Sequence, residues 1–193
     1  MPSRAQQVRM HRFAATLAGA VIGLWDAAAA APLPFQLTSP AFEDGRAIPA
    51  AYACDGGNIS PQLIWTEPPD GTRSFALIME DADAPGDPFL HWTVYNLPPS
   101  LRLLREAFPP NAQLPDGTRQ GLTDFGQTGY GGPCPPDDRH RYIFTVYALD
   151  ALLEVPPRAA REELDRAIDD HVLARAPLTG VYQRRAGRTG GGS

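Results

Sequence analysis

Short apolar runs, separated by prolines, glycines and aspartates, dominate the sequence. Several runs are rich in aromatic and β-branched residues and end at turn residues, which is typical of β-strands. The predicted strands are Phe35–Thr38, Leu63–Trp65, Phe75–Glu80, Trp92–Asn96, Tyr142–Leu149 and Leu178–Tyr182. The segment Phe75–Met79 is almost wholly apolar, as expected for a strand that is buried on both faces. The pattern predicts a mainly β fold.

One segment near the C-terminal end has helical periodicity instead. From Arg158 to about Arg175, apolar residues recur at spacings of three and four, and charged residues occupy the opposite face. Prolines precede this segment, and Pro177 follows it, so both ends are punctuated. The apolar stripe contains Ala160, Leu164, Ala167, Ile168, Val172 and, at its border, His171. We therefore expect an amphipathic helix in which His171 packs at the border and binds no ligand.

Two stretches show no clear element. Residues Leu97–Pro133 have weak periodicity and many turn residues, and so long a stretch inside a compact domain is either functional or misread. The tail Arg184–Ser193 ends in three glycines and a serine, and we expect it to be disordered.

The N-terminal segment has the order of charges and apolar residues found in export signals. Three arginines precede the apolar run Phe13–Trp25, and small residues follow as far as Ala31. The run is shorter than the roughly 20 residues that a membrane span needs. We expect residues 1–31 to be a signal peptide and residues 32–183 to form one domain, exported to the periplasm or secreted. An uncleaved N-terminal anchor and an incorrectly assigned start are the alternatives.

Charge and cysteine content narrow the classes of partner. The net charge of the chain is −5, and loss of the signal peptide would make it more negative, which argues against a nucleic-acid partner. No later apolar run is long enough for a membrane span, so we expect no integral membrane segment in the mature form.

In an oxidising compartment, Cys54 and Cys134 would be expected to form a disulfide. Two buried free thiols are the alternative.

Two polar turns, about forty residues apart, each lead through a histidine into a predicted strand. They are Asp81–Trp92, which contains His91, and Gly132–Tyr142, which contains His140. If the two strands are neighbours, carboxylates, imidazoles and a phenol can line one small pocket. We expect the function to reside there.

Strand alternation predicts where these side chains point. If the first strand continues beyond Glu80, Asp81 and Asp83 would share a face, and His91 and Trp92 would point to opposite faces. On the Asp81 segment alone, an ordinary turn rich in aspartate and proline explains the residues equally well.

Alternation also groups the residues of the second turn. His140 and Tyr142 would share a face, and Arg141 would point away from them, towards a carboxylate on a loop.

The prolines at 133, 135 and 136 restrict φ, so the second turn should be stiff and its pocket pre-formed. Imidazole and phenol donors, with a free backbone N–H from Gly131 or Gly132, would suit a small anion. Asp81 would suit a cation or hydroxyl on the same ligand. A metal site of two histidines and an aspartate is a weaker alternative, because tyrosine and proline are unusual in such sites.

The sequence has no glycine-rich phosphate loop, nucleophile elbow or paired-cysteine metal motif. We therefore expect no cofactor, no metal and no catalytic residue set.

These motifs closely resemble those of the phosphatidylethanolamine-binding protein family, which includes the Raf kinase inhibitor proteins, and of its bacterial exported and cytosolic branch in particular. The similar blocks are Asp81–Pro85 with His91-Trp92, Gly132–Pro136 with His140–Tyr142, Cys54–Pro61, and Thr123–Gly126 with Gly129–Gly131. The likeness extends over about Phe35 to Tyr182.

The resemblance implies a β-sandwich of two antiparallel sheets with peripheral helices, and a pocket for phosphate, acetate or a phospholipid head group. It also implies a cis bond before Pro85. The matched pocket residues are Asp81, Pro85, His91, Pro133, His140 and Tyr142, with Asp83 and Trp92 beside them.

The chain departs from the family pattern in three places. Ala82 replaces a proline, Gly86-Asp87-Pro88 makes a shorter connection to His91 than in many relatives, and no gating helix is evident after Tyr182. The resemblance therefore transfers the binding site but no Raf partner.

Three functions follow, in order of preference. The first is a non-catalytic binding protein for a small anion or phosphorylated head group. The second is an inhibitor of a kinase, protease or other protein. The third is a hydrolase that uses aspartate and histidine as acid and base.

Overall fold

The computed structural model describes residues 34–136 and 138–184, and these form strands for the most part. The predicted signal peptide, and the predicted tail beyond Arg184, lie outside the described residues. In chain order the elements are β1 (Leu37–Thr38), β2 (Arg46–Ala47), a 3₁₀ helix (Ala50–Tyr52), β3 (Leu63–Trp65), β4 (Ser74–Asp81), β5 (Phe89–Leu97), β6 (Leu103–Leu104), β7 (Arg119–Gln120), β8 (His140–Leu149), α1 (Arg161–Asp169) and β9 (Val172–Tyr182).

All six predicted strands are present. The third strand, β3, has the predicted bounds, β1 is shorter, and β4, β5, β8 and β9 are longer than predicted. The sequence analysis missed three strands of two residues each, β2, β6 and β7, because so short a run carries no periodicity.

The strands form two sheets. One has the order β1-β3-β6, and the other has the order β2-β9-β8-β4-β5-β7. Strand β4 is the centre of the larger sheet and pairs antiparallel with both β5 and β8.

The expectation of wholly antiparallel sheets is wrong at one edge. Strand β2 runs parallel to β9, with Arg46 opposite Gly180. A Cβ on Gly180 would lie 2.4 Å from the Cγ1 atom of Ile48, so the absence of a side chain lets the segment after β2 pack against the sheet.

Both faces of β4 are covered, as the sequence predicted. Phe75, Leu77 and Met79 belong to the core shared with the three-stranded sheet. Ala76 and Ile78 face a second core that includes side chains of α1. The ring of Trp65 in β3 lies 5.3 Å from the ring of Phe75, so the two sheets contact each other directly.

The predicted amphipathic helix is present but shorter than predicted. Helix α1 ends at Asp169, and its buried residues Leu164 and Ile168 face the second core. From Val172 onwards the chain pairs with β8, so the end of the predicted stripe is strand. Pro177 lies within β9, where it is exposed, and does not punctuate a helix. Pairing with a long neighbouring strand outweighs the weak helical pattern there.

His171 lies in the turn between α1 and β9 and is not a packing residue. Its side chain is 40% exposed, and its Nδ1 atom is 2.8 Å from an oxygen of Asp150. It is therefore a surface residue.

Within residues 34–136 and 138–184, no helix is long and apolar enough to cross a bilayer.

Candidate functional site

The two histidine-containing turns meet at one end of the larger sheet. Because β4 is antiparallel to both of its neighbours, the end of β4 lies beside the beginnings of β5 and β8. Asp81 is consequently opposite Phe89 on one side and Tyr142 on the other. The predicted juxtaposition of these turns is therefore present in the structure.

A cavity of about 180 Å³ opens at this end of the sheet. Its walls come from β4, β5, β8 and three loops. The lining residues are Asp81, Ala84, Pro85, Phe89, His91, Phe125, Cys134, Pro136 and His140.

A buried carboxylate and imidazole form the first polar unit of the cavity. The Nδ1 atom of His140 is 2.7 Å from Oδ2 of Asp81, and the two side chains are only 8% and 6% exposed. The other oxygen of Asp81 accepts the backbone N–H of Asp83 at 3.0 Å. Because both oxygens of Asp81 are bound, the carboxylate has a fixed orientation and in turn holds the ring of His140.

His91 is the second polar unit, and its ring is also held through Nδ1. That atom is 2.7 Å from the backbone oxygen of Gly131. Since a carbonyl oxygen can only accept, Nδ1 carries the hydrogen and Nε2 is the remaining nitrogen of the ring. Burial lowers the pKa of His91, which favours the neutral imidazole.

Aromatic rings surround the imidazole of His91. Phe89, Phe125 and Tyr142 each present a ring edge-on to it, with centroids 5.4, 5.1 and 5.2 Å away. Asp124 anchors the loop that carries Phe125, because its carboxylate accepts the N–H of Leu90 at 2.6 Å and its own N–H donates to the Leu90 oxygen at 3.0 Å. His91 therefore has little freedom to rotate.

Tyr142 lies behind His91 and does not line the cavity. Its hydroxyl is buried and has no partner in hydrogen-bonding geometry. Burial, together with the negative charge of Asp81, raises the pKa of Tyr142. Asp81 and the backbone of Cys134 are polar groups that act on this hydroxyl, although neither is in regular hydrogen-bonding geometry with it.

Asp83, a predicted site residue, lies outside the cavity. Its carboxylate forms a two-pronged ion pair with Arg141 at 2.6–3.2 Å and also accepts the Arg141 backbone N–H. Hydrogen bonding from Arg141 lowers the pKa of Asp83 to about 2. The prediction that Arg141 binds a carboxylate on a loop is confirmed.

Trp92 points to the opposite face of β5 from His91, as alternation predicts. Its indole N–H donates to the side chain of Gln120 at 2.7 Å, and its ring packs against Phe108 and Tyr130. It is a core residue and does not contribute to the cavity wall.

The glycine N–H groups that were expected to face a ligand are used within the protein. The N–H of Gly131 donates to the His91 oxygen at 3.0 Å, and the N–H of Gly132 donates to Oδ1 of Asn58 at 2.7 Å. Gly132 and Pro133 do not line the cavity, and the backbone oxygen of Pro133 accepts the N–H of Cys54.

The Ala84–Pro85 bond is trans, contrary to the implied cis bond.

Four lining residues were not predicted: Ala84, Phe89, Phe125 and Pro136. Phe89 could have been found, because it lies two residues before His91 and hence on the same strand face. Phe125 comes from the long stretch without clear periodicity, and its position depends on the tertiary contacts of Asp124.

The predicted disulfide between Cys54 and Cys134 is confirmed, and the alternative of two free thiols is wrong. The bridge joins residues 80 positions apart in the chain. A loop of this length gives about 4–5 kcal/mol of stabilisation in the chain-entropy account. The bridge also supports an oxidising compartment, where disulfides persist.

Among the described residues, no group of three or more histidine, cysteine, aspartate or glutamate side chains has the arrangement of a metal site.

Comparison with known proteins assigns the family. The model of the phosphatidylethanolamine-binding protein family matches residues 38–183. This chain belongs to the phosphatidylethanolamine-binding protein family.

Relatives of the same length as the matched domain support the assignment. A UPF0098 protein of Methanothermobacter thermautotrophicus is 47% identical over 149 residues, which are 77% of this chain and 99% of the relative. A UPF0098 protein of Chlamydia muridarum is 43% identical over 154 residues, again 77% of this chain and 99% of the relative.

Two crystal structures of the family have the same fold. A phosphatidylethanolamine-binding protein homologue from Chlamydia trachomatis is 42% identical, covers 78% of this chain and 98% of its own, and superposes with a TM-score of 0.71. YbcL of Escherichia coli, described as a member of the mammalian family, is 34% identical, covers 78% and 99%, and has a TM-score of 0.73.

Proposed function

We propose that this protein is a non-catalytic binding protein whose cavity takes a small anion or a phosphorylated head group. The observation that carries the proposal is the pair of imidazoles, His91 and His140, which line one small cavity and are each fixed through Nδ1 by a protein acceptor. A ring that is already oriented loses little entropy when it binds a ligand. The family's name supports the same class of ligand.

The volume of the cavity limits the size of the ligand. Pockets for drug-sized molecules occupy about 300–1,000 Å³, whereas this cavity has about 180 Å³. At about 30 Å³ for each water molecule, it holds the equivalent of about six waters. A phosphate or a single head group fits, and any larger part of the ligand would extend past the mouth.

The outer part of the cavity is apolar. Pro85, Phe89, Phe125 and Pro136 line it, and Phe125 is 44% exposed. This rim suits the hydrocarbon part of a lipid next to its head group, so a phosphorylated lipid and a free anion would use the same polar binding position. The affinities for inorganic phosphate, phosphoethanolamine and a short-chain phospholipid, measured side by side, distinguish a lipid ligand from a free anion.

The chemistry of the lining argues for binding rather than turnover. Among the described lining residues there is no serine or threonine, and the sulfur of Cys134 is held in a disulfide. An Asp–His pair without an adjacent nucleophile resembles half of a catalytic triad, which lacks the group that would attack a substrate.

We also infer that the protein works in an oxidising compartment outside the cytoplasm. The disulfide and the order of residues in the N-terminal segment support this inference. Fractionation of cells that produce the full chain tests it, and recovery of the uncleaved protein in the cytoplasm would contradict it.

Calorimetry tests the binding function. The wild-type protein should bind phosphate or phosphoethanolamine. Because Nε2 of the neutral His91 ring carries no hydrogen, the ring takes up a proton as the anion binds, and the resulting hydrogen bond to a charged group contributes about 1.5–3 kcal/mol. H91A should therefore weaken the affinity at least tenfold. The surface variant H171A is the matched control and should bind as the wild type does. Equal affinities of H91A and H171A would refute the site.

A further inference from the structure

The disulfide is one of three connections between two loops at the anion site. We call Cys54–Asn58 the tether loop and Gly131–Pro136 the wall loop. The connections are the Cys54–Cys134 bridge, the Cys54 N–H to the Pro133 oxygen at 3.1 Å, and the Gly132 N–H to Oδ1 of Asn58 at 2.7 Å.

The wall loop contributes to the cavity in two ways. Cys134 and Pro136 form part of the lining. The oxygen of Gly131 accepts the hydrogen bond from His91 and so fixes that imidazole. A displacement of the wall loop would therefore change both the shape of the cavity and the orientation of its main polar group.

The tether loop is a firm anchor because it packs tightly on the 3₁₀ helix. A Cβ on Gly56 would lie 1.8 Å from the oxygen of Ala50, and a Cβ on Gly57 would lie 2.7 Å from that of Ala51. Asn58 has a φ of +48° and donates its N–H to the oxygen of Ala53 at 3.1 Å. The loop cannot follow the wall loop if the two separate.

We propose that the Cys54–Cys134 disulfide is a redox-sensitive positioning element of the anion site. In the oxidised protein it holds the wall loop, and through it His91, in the geometry that binds the anion. In the reduced protein only hydrogen bonds join the two loops, and the anion binds more weakly. This inference rests on the proposed function.

The bridge is accessible to a reductant. Cys54 is exposed and Cys134 is half-buried. A dithiol supplies the chemistry: its thiolate attacks one sulfur of the bridge, the S–S bond breaks, and a mixed disulfide forms. The second thiol of the reductant then releases the protein, which has gained two electrons and two protons, while the dithiol has become a disulfide.

The coupling has to act in both directions. If reduction weakens anion binding by a given factor, saturation with the anion must disfavour reduction by the same factor. A tenfold weaker affinity on reduction would therefore appear as a tenfold smaller equilibrium constant for reduction at saturating anion.

Calorimetry with inorganic phosphate, on the full-length protein with and without prior reduction by dithiothreitol, measures the first direction. Mass spectrometry after alkylation verifies the redox state. We expect a dissociation constant about tenfold higher for the reduced protein, within the range of about 5–150-fold that is usual for coupled sites. Equal constants would overturn the redox coupling alone. Absence of binding by the oxidised protein would overturn the proposed function.

Two further measurements separate positioning from general stabilisation. N58G keeps the bridge and the loop conformation but removes the acceptor for Gly132, and we expect it to weaken phosphate binding several-fold without loss of fold. In NMR titrations the pKa of His91 should rise towards its ordinary value on reduction, because the wall that buries the ring loosens. An unchanged His91 titration in a folded, reduced protein would overturn the positioning role.

Discussion

At the scale of single residues, burial and fixed partners define the chemistry of the site. His91 is almost completely buried, and its pKa is lowered because the charged ring would lose its hydration. Asp81 and His140 are buried as a hydrogen-bonded pair. The imidazole rings of His91 and His140 are therefore both held in fixed orientations by the protein. Two imidazoles that differ in their partners give the cavity two distinct polar groups.

The lowered pKa of His91 predicts how stability depends on pH. Between this pKa and the ordinary value of 6.5, the unfolded state binds more protons than the folded state, so stability rises with pH. In anion-free buffer the free energy of unfolding should fall as the pH falls below about 6.5. Urea unfolding at pH 7.5 and pH 5.5 measures this loss, and H91Q should show a smaller loss. An identical pH dependence in the two proteins would contradict the assignment.

At the scale of elements, the wall loop can approach its neighbours because two successive residues lack side chains. A Cβ on Gly131 would lie 2.5 Å from the ring of Phe125. A Cβ on Gly132 would lie 2.4 Å from the backbone oxygen of Tyr52 and 2.7 Å from Oδ1 of Asn58. The first contact involves a partly exposed ring that can move, whereas the second involves backbone.

The two glycines should therefore respond differently to alanine. Overpacking typically costs about 1–3 kcal/mol, and we expect G131A near the lower end and G132A near or above the upper end. Chemical denaturation measures both changes in stability, and each variant controls for the other. A G132A protein as stable as G131A would show that the wall loop does not pack against the 3₁₀ helix and the tether loop as described.

The elements also show which local patterns can be interpreted from sequence. Strand β4 was predictable because both of its faces are buried, which leaves an unbroken apolar run. The end of α1 was not predictable, because Val172 fits the apolar stripe of the helix and belongs to a strand only through its pairing with β8. Alternation put Asp83 on the face of Asp81 only if the strand continued, but β4 ends at Asp81, and Asp83 pairs with Arg141 outside the cavity.

At the scale of the whole molecule, chain topology brings together residues that are distant in sequence. The motifs predicted that Asp81, His91 and His140 would share a pocket if their strands were neighbours, and the antiparallel pairing of β4 with β5 and β8 makes them so. They could not predict that Phe125 would complete the cavity, because its loop lacks periodicity and is held by Asp124 against β5. Export and the inhibition of a protein target stay predictions.

The central claim is that a small anion binds between His91 and His140, and a crystal of the oxidised protein soaked in selenate tests it most directly. We predict an anomalous selenium peak in the cavity, with a selenate oxygen at about 3 Å from Nε2 of His91, which becomes protonated when the anion binds and donates to it. Competition with phosphate should remove that peak. An empty cavity, with selenate bound only at exposed arginines such as Arg46 and Arg139, would contradict the account.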